Sequence, residues 1–195
     1  MFLHSAGRCV GAFFLLAIVA YGIGSSLPGQ LAGTALVVLN SVLVAAIGAL
    51  VFLALRRSHP GVAWTYLVAR GAEALLLTVG IVLLDRVGVE AADLAYQMAM
   101  LSLGLGSLPL CLAVSRLHWL PRWLAIWGFA GYALLAAGSA AELLGAGVGL
   151  VLSIPGGLFE VVLGLLLLVR GVAPATGARP TIAVRPDTAP DAALR

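Results

Sequence analysis

The chain contains no lysine; all 11 basic residues are arginine. That absence removes the amine of a retinal-type Schiff base and the lysine of a phosphate-binding loop. Cysteine is nearly absent too. Cys9 and Cys111 stand alone, and no CxxC or HExxH pattern occurs, so no zinc or dithiol motif can be read. The three histidines, His4, His59 and His118, all fall at the ends of apolar runs. Buried bis-histidine haem ligation and a Ser–His intramembrane protease are thereby excluded. No aspartate lies within an apolar run, which excludes an aspartyl intramembrane protease pair. The residues imply no cofactor and no metal, and no nucleophile–base constellation marks an enzyme.

Charge is the scarcest commodity. Only 10% of residues are charged, against about 25% in a soluble domain. With 62% hydrophobic residues and a mean hydropathy of +1.12, the chain cannot cover a water-facing surface. Its composition predicts an all-α polytopic membrane protein. The net charge of +3 does not point to nucleic acid, because the arginines outside apolar runs lie in short loops, where membrane topology accounts for them.

Six apolar runs can be marked. The first spans about Cys9 to Leu27 and stops at the turn dipeptide Pro28-Gly29. At about 18 residues it exceeds the usual 7–15-residue core of a signal peptide, so a retained span is expected. The second runs from Leu31 to Leu55 and ends at Arg56-Arg57. The third covers Val62 to Leu84, the fourth Leu94 to Ser115, the fifth Trp123 to Leu144 and the sixth Val148 to Val169. The third, about 23 residues at about 1.5 Å each, is long enough to cross a hydrocarbon core about 30 Å thick. Residues 1–172 thus form a six-span domain. Residues 173–195, with Pro174, Pro180, Pro186 and Pro190, are expected to be a disordered cytoplasmic tail.

Arginine sets the orientation. Nine arginines lie at the N-terminus, the second and fourth loops and the tail, while the opposite side holds only Arg86 beside Asp85, Glu90 and Asp93. The positive-inside rule places both termini in the cytoplasm, as six spans require of a chain that returns to its starting side. Both cysteines then fall toward the reducing side, so no disulfide is expected. Trp64, Trp119, Trp123 and Trp127 lie near inner span ends and read as an interfacial belt. The two halves have similar span lengths, and Gly71-Ala72-Glu73 loosely echoes Leu158-Phe159-Glu160. A weak 3+3 inverted repeat is one expectation from this likeness.

Four ionisable residues fall inside runs: Arg70, Glu73, Glu142 and Glu160. Arg70 and Glu73 are three apart, on one helical face with Tyr66. Arginine at a span centre costs about 2.5–3.5 kcal/mol on insertion scales, so it needs a partner or a wet cavity. Glu160 follows Pro155, whose ring removes a backbone donor, and shares a stripe with Gly149, Ser153, Gly157 and Gly164 that would admit a neighbouring helix. Span two contributes Asn40. The candidate polar centre is therefore Arg70, Glu73, Glu160, Tyr66 and Asn40, with an Arg70–Glu160 contact expected and Glu73 nearby. One reading is a structural ion cluster that fixes helix register; the other is a site for a small molecule, ion or proton. One arginine against two central acids leaves an acid in excess.

The segment Ala69-Arg70-Gly71-Ala72-Glu73-Ala74, the turn Leu120-Pro121-Arg122 followed by Gly128, Gly131 and Tyr132, and the ending Ile154-Pro155 through Glu160 to Arg170-Gly171 together resemble the bacterial membrane family called domain of unknown function 4386. The resemblance covers roughly residues 8 to 172. It implies six spans, a bacterial inner-membrane location and no established activity. The first outer loop is shorter than usual in that family, and Asn40 stands where an acidic residue is common. Two functions follow from the residues: a small transporter-like or ligand-binding membrane protein around the Arg/Glu centre, or a structural or regulatory subunit that binds another membrane protein and uses the same residues as internal packing. The lipid bilayer is the partner common to both, and neither involves nucleic acid.

Overall fold

The computed structural model describes residues 2–171, which form six helices joined by short turns: α1 (Phe2–Ser25), α2 (Leu31–Leu55), α3 (Pro60–Arg86), α4 (Val89–Arg116), α5 (Arg122–Leu143) and α6 (Gly149–Arg170). All six are long and apolar enough to cross a membrane. The tail expected at 173–195 lies outside the described residues. Helix ends follow local chemistry. Pro60 opens α3, where a missing N–H costs nothing. Gly88, at φ +129°, turns the chain in the two residues between α3 and α4, a conformation that suits glycine. The fourth helix starts earlier than the apolar run suggested. Glu90 sits in its first turn, where a negative charge complements the helix dipole, so an acidic stretch read as loop is helical.

The helices form a closed ring in chain order. Each packs on its sequence neighbours, and α1 packs on α6; among the described residues no other helix pair meets backbone to backbone. Consecutive helices joined by short turns run antiparallel, so all six seams, including α1–α6, are antiparallel. This order corrects the expected inverted repeat. A two-fold axis in the membrane plane would carry α1, α2 and α3 onto α4, α5 and α6, and would also reverse the sense in which helices follow one another round the ring. A sequential ring cannot satisfy both, so the 3+3 repeat is not a symmetry of this fold.

Small residues bring the seams together. A Cβ placed on Gly131 would lie 3.0 Å from Gly156 Cα, and one on Gly11 would lie 2.6 Å from the Gly164 carbonyl oxygen. Glycine at these points lets backbones approach where lipid supplies no hydrophobic drive to pack helices. The glycine stripe on α6 therefore does not serve one partner. Gly164 faces α1 and Gly149 faces α5, while Gly157 has open space beside it and lines a cavity.

The exterior is apolar, with Leu16, Val42, Leu75, Ile126 and Val169 among its exposed side chains. Polar groups lie inside: Asn40, Arg70, Glu73, Gln97, Ser107 and Ser139 are all buried. Two clusters fill much of the ring, one around Phe14, Ile47, Tyr66 and Leu167 and one around Leu103, Leu124, Tyr132, Leu135 and Phe159. Two of the tryptophans expected in a belt, Trp119 and Trp127, are half-buried. Trp127 packs edge-on against Phe159 at 6.4 Å, and Trp119 lines the lumen beside Leu120 and Val114. Trp64 and Trp123 remain exposed. Both cysteines are free, Cys9 exposed and Cys111 buried.

Candidate functional site

Arg70 lies ten residues into α3, about 15 Å along the helix at 1.5 Å per residue, and so near mid-membrane. Its stem passes Gly48 of α2, where a Cβ would lie 2.8 Å from Arg70 Cβ. Its side chain is only 2% exposed. It donates from Nε to Tyr66 Oη at 2.8 Å, from Nη1 to Glu73 Oε2 at 2.8 Å and from Nη2 to Glu160 Oε1 at 3.2 Å. Tyr132 on α5 donates its hydroxyl to the same Glu160 oxygen at 2.9 Å. The Phe14 and Tyr66 rings stand 5.1 and 5.3 Å from the guanidinium carbon, close enough for cation–π attraction.

The expected Arg70–Glu160 contact is made, and the intrahelical Glu73 contact is the shorter of the two. Helical spacing explains this. Tyr66, four residues before Arg70, and Glu73, three after, lie on its own face, so the side chain bonds to both along α3 and spans the ring only with its last nitrogen. Glu142 lies apart from the centre. Its Oε2 accepts the Gly149 N–H at 2.7 Å and so satisfies a free donor at the start of α6. Gln97 pairs weakly with Asp93 at 3.5 Å near the opposite end of α4.

The ion layer is the floor of a cavity of about 310 Å³ to which all six helices contribute. That is near the lower end of the roughly 300–1,000 Å³ typical of small-molecule pockets. Arg70, Glu73, Glu160 and Asn40 line it together, with Tyr132 at the floor and Tyr21 and Tyr96 above. Tyr66 faces the other way, into a smaller apolar cavity of about 110 Å³ that also touches Phe14 and Tyr132. The larger cavity climbs toward the ends of the helices remote from the termini, reaching Gly22 on α1 and Ser153 on α6, three and four residues from those helix ends. There the Tyr21 and Tyr96 rings stack 5.8 Å apart and 12° from parallel, across the ring from α1 to α4. A third cavity, about 150 Å³, lies beyond them and shares Tyr21 and Tyr96 as lining. The stacked pair, with Leu77, thus lines both cavities where they adjoin.

Of the five residues that the sequence nominates for this centre, four line one cavity and the fifth, Tyr66, bonds to it from below. Missed were Phe14, Tyr21, Tyr96 and Tyr132. All four tyrosines of the chain line the lumen. A phenol in mid-span needs a hydrogen-bond partner or water, and that requirement was the available signal.

The model of the family described as Domain of unknown function (DUF4386) matches residues 84–171. The chain resembles that family. The matched stretch runs from the end of α3 through α6 and carries Tyr96, Tyr132 and Glu160, whereas Arg70 and Glu73 lie before it. No curated protein and no solved structure matches the chain.

Proposed function

We propose that this membrane protein binds a small molecule in its central cavity and acts as a small transporter or membrane receptor of that ligand. One observation carries the reading: buried Glu73 and half-buried Glu160, whose side chain is 15% exposed, line a cavity of about 310 Å³. A cluster serving only as internal packing leaves that volume without a role, and this favours the ligand site over the structural or regulatory subunit. Intramembrane ionisable groups that face a cavity are the usual makings of substrate and ion pathways. The arginine asymmetry supports an orientation with both termini in the cytoplasm of a bacterial inner membrane, so that the cavity faces outward.

Cysteine accessibility tests this. In a Cys9→Ser, Cys111→Ala background, Asn40→Cys should react with a small water-soluble methanethiosulfonate added from outside. Ser26→Cys, exposed in the outer turn, marks full reaction, and Leu39→Cys, on the lipid-facing surface at the same depth, marks none. Asn40→Cys as unreactive as Leu39→Cys would defeat the proposal.

A further inference from the structure

The central cavity carries a charge sign and a pattern of unmet hydrogen bonds, and together they specify a ligand. Among the described residues Arg70 is the one basic residue lining it, against Glu73 and Glu160, so with all three ionised the layer sums to one negative charge. Antiparallel neighbours alternate their dipoles round the ring, so side chains set the field in the lumen. Arg70 bonds one oxygen of each carboxylate, Glu73 Oε2 and Glu160 Oε1. The other two, Glu73 Oε1 and Glu160 Oε2, accept no hydrogen bond among the described residues, yet they are not among the polar atoms sealed from solvent without a partner. Asn40 supplies an independent observation. It is 4% exposed, lines the same cavity, and its amide makes no hydrogen bond among the described residues. Its amide atoms are not among the polar atoms sealed from solvent without a partner, so the amide reaches the cavity space and is served by whatever fills it.

Glu73 Oε1 and Glu160 Oε2 belong to lining residues and are free to accept, and the Asn40 amide offers a third acceptor, its oxygen, beside two N–H donors. An alkylammonium group offers three N–H donors and no acceptor. An anion would meet two carboxylates and an arginine already engaged by three partners. A divalent metal of the calcium type takes about 6–8 oxygen ligands, more than these side chains provide. The stacked Tyr21 and Tyr96 rings cap the cavity, and aromatic faces attract cations and accommodate hydrocarbon. The outer rim agrees in sign: Asp85, Glu90, Asp93 and Glu142 lie at the helix ends on that side, with Arg86 the only base there. A negative rim concentrates cations at the mouth.

We propose that the central cavity binds a small primary amine in its ammonium form, with the ammonium at Glu73, Glu160 and Asn40 and the hydrocarbon beneath the Tyr21–Tyr96 pair. This rests on the cavity being a ligand site open to outer water. The test uses the full chain in lipid nanodiscs at neutral pH, with methylammonium, n-butylammonium and phenethylammonium as probes, set against butyrate and butan-1-ol, and titration calorimetry as the readout. At least one ammonium probe should bind about ten-fold or more tighter than butyrate and butan-1-ol, a difference of about 1.4 kcal/mol. Asn40→Ala and Glu73→Gln should each weaken that probe by a comparable factor. Asn40→Ala leaves the arginine bonds untouched, so it reads the site without disturbing the ion layer. Equal or tighter binding of butyrate or butan-1-ol overturns the proposal, as does binding that neither substitution changes. If no ammonium probe binds while Asn40→Cys is still labelled from outside, the cation assignment fails and the open cavity stands. If Asn40→Cys is also unreactive, both readings fail.

Discussion

Replacing Arg70 by methionine keeps most of the stem and removes the charge, and the surroundings of the guanidinium set the cost. The Arg70 side chain is 2% exposed and its guanidinium bonds two carboxylates, at 2.8 and 3.2 Å. Removing one side of a desolvated pair costs about 3–5 kcal/mol, mostly through the charge left behind, and Arg70→Met should fall in that range. Distance alone barely separates the two acids: at an effective dielectric of 20, the Coulomb attractions are about 6 and about 5 kcal/mol before desolvation is subtracted. Hydration decides the order. The Glu73 side chain is 5% exposed and the Glu160 side chain 15%, facing the cavity. The Arg70–Glu73 coupling should therefore exceed Arg70–Glu160, and Arg70→Met with Glu73→Gln should recover more stability than Arg70→Met with Glu160→Gln. The assay is equilibrium unfolding in mixed micelles of Cys9→Ser protein, reading the reactivity of buried Cys111 as it becomes exposed. Double-mutant cycles on both pairs give the couplings. Couplings below about 0.5 kcal/mol for both acids would refute the view of a desolvated ion layer, since ordinary membrane hydrogen bonds already average about 0.6.

Three further outcomes are expected. Tyr132→Phe deletes one hydrogen bond to Glu160 without changing packing, and should cost about 0.6 and at most about 1.7 kcal/mol in the same unfolding assay. Gly131→Leu forces a side chain into the seam against Gly156, and should destabilise by about 1–3 kcal/mol or more; an unchanged midpoint would show that α5 and α6 separate freely there. Reporter fusions after Arg57, Arg122 and Arg170 should read cytoplasmic and those after Gly88 and Gly147 exterior, and an exterior signal at Arg122 would reject the arrangement of six spans.

The number and extent of spans were legible because hydropathy and turn residues mark them directly: α2 begins and ends at Leu31 and Leu55, as its apolar run does. The Arg70, Glu73 and Glu160 cluster was legible for the opposite reason, since charge stands out against an apolar background. The ring was not. In a soluble helix the polar face points to water and reveals the inside by contrast. Here Leu16 meets lipid and Phe14 meets the lumen, and both are apolar, so periodicity carries little information about which face is which. The tyrosines were overlooked for a related reason. Tyr21 and Tyr96 lie on helices far apart in the chain, and only the closure of the ring sets them face to face.

That closure has a consequence for how the chain assembles. Five of the six seams join helices adjacent in sequence and need only a short loop to close, so each can form as its second helix enters the bilayer. The α1–α6 seam is different. It must wait until the last helix has been made, and it is held by the Gly11–Gly164 approach and by Arg8 Nη2 donating to the Val169 carbonyl at 3.3 Å. Loop-closure entropy grows only slowly with length, so this long-range step is late but not forbidding. A ring parted at that one seam would be an open C with Arg70 and its acids along the inner edge. The bond from Arg70 on α3 to Glu160 on α6 crosses the lumen, so it ties the last helix to the first half of the chain just as the α1–α6 seam does.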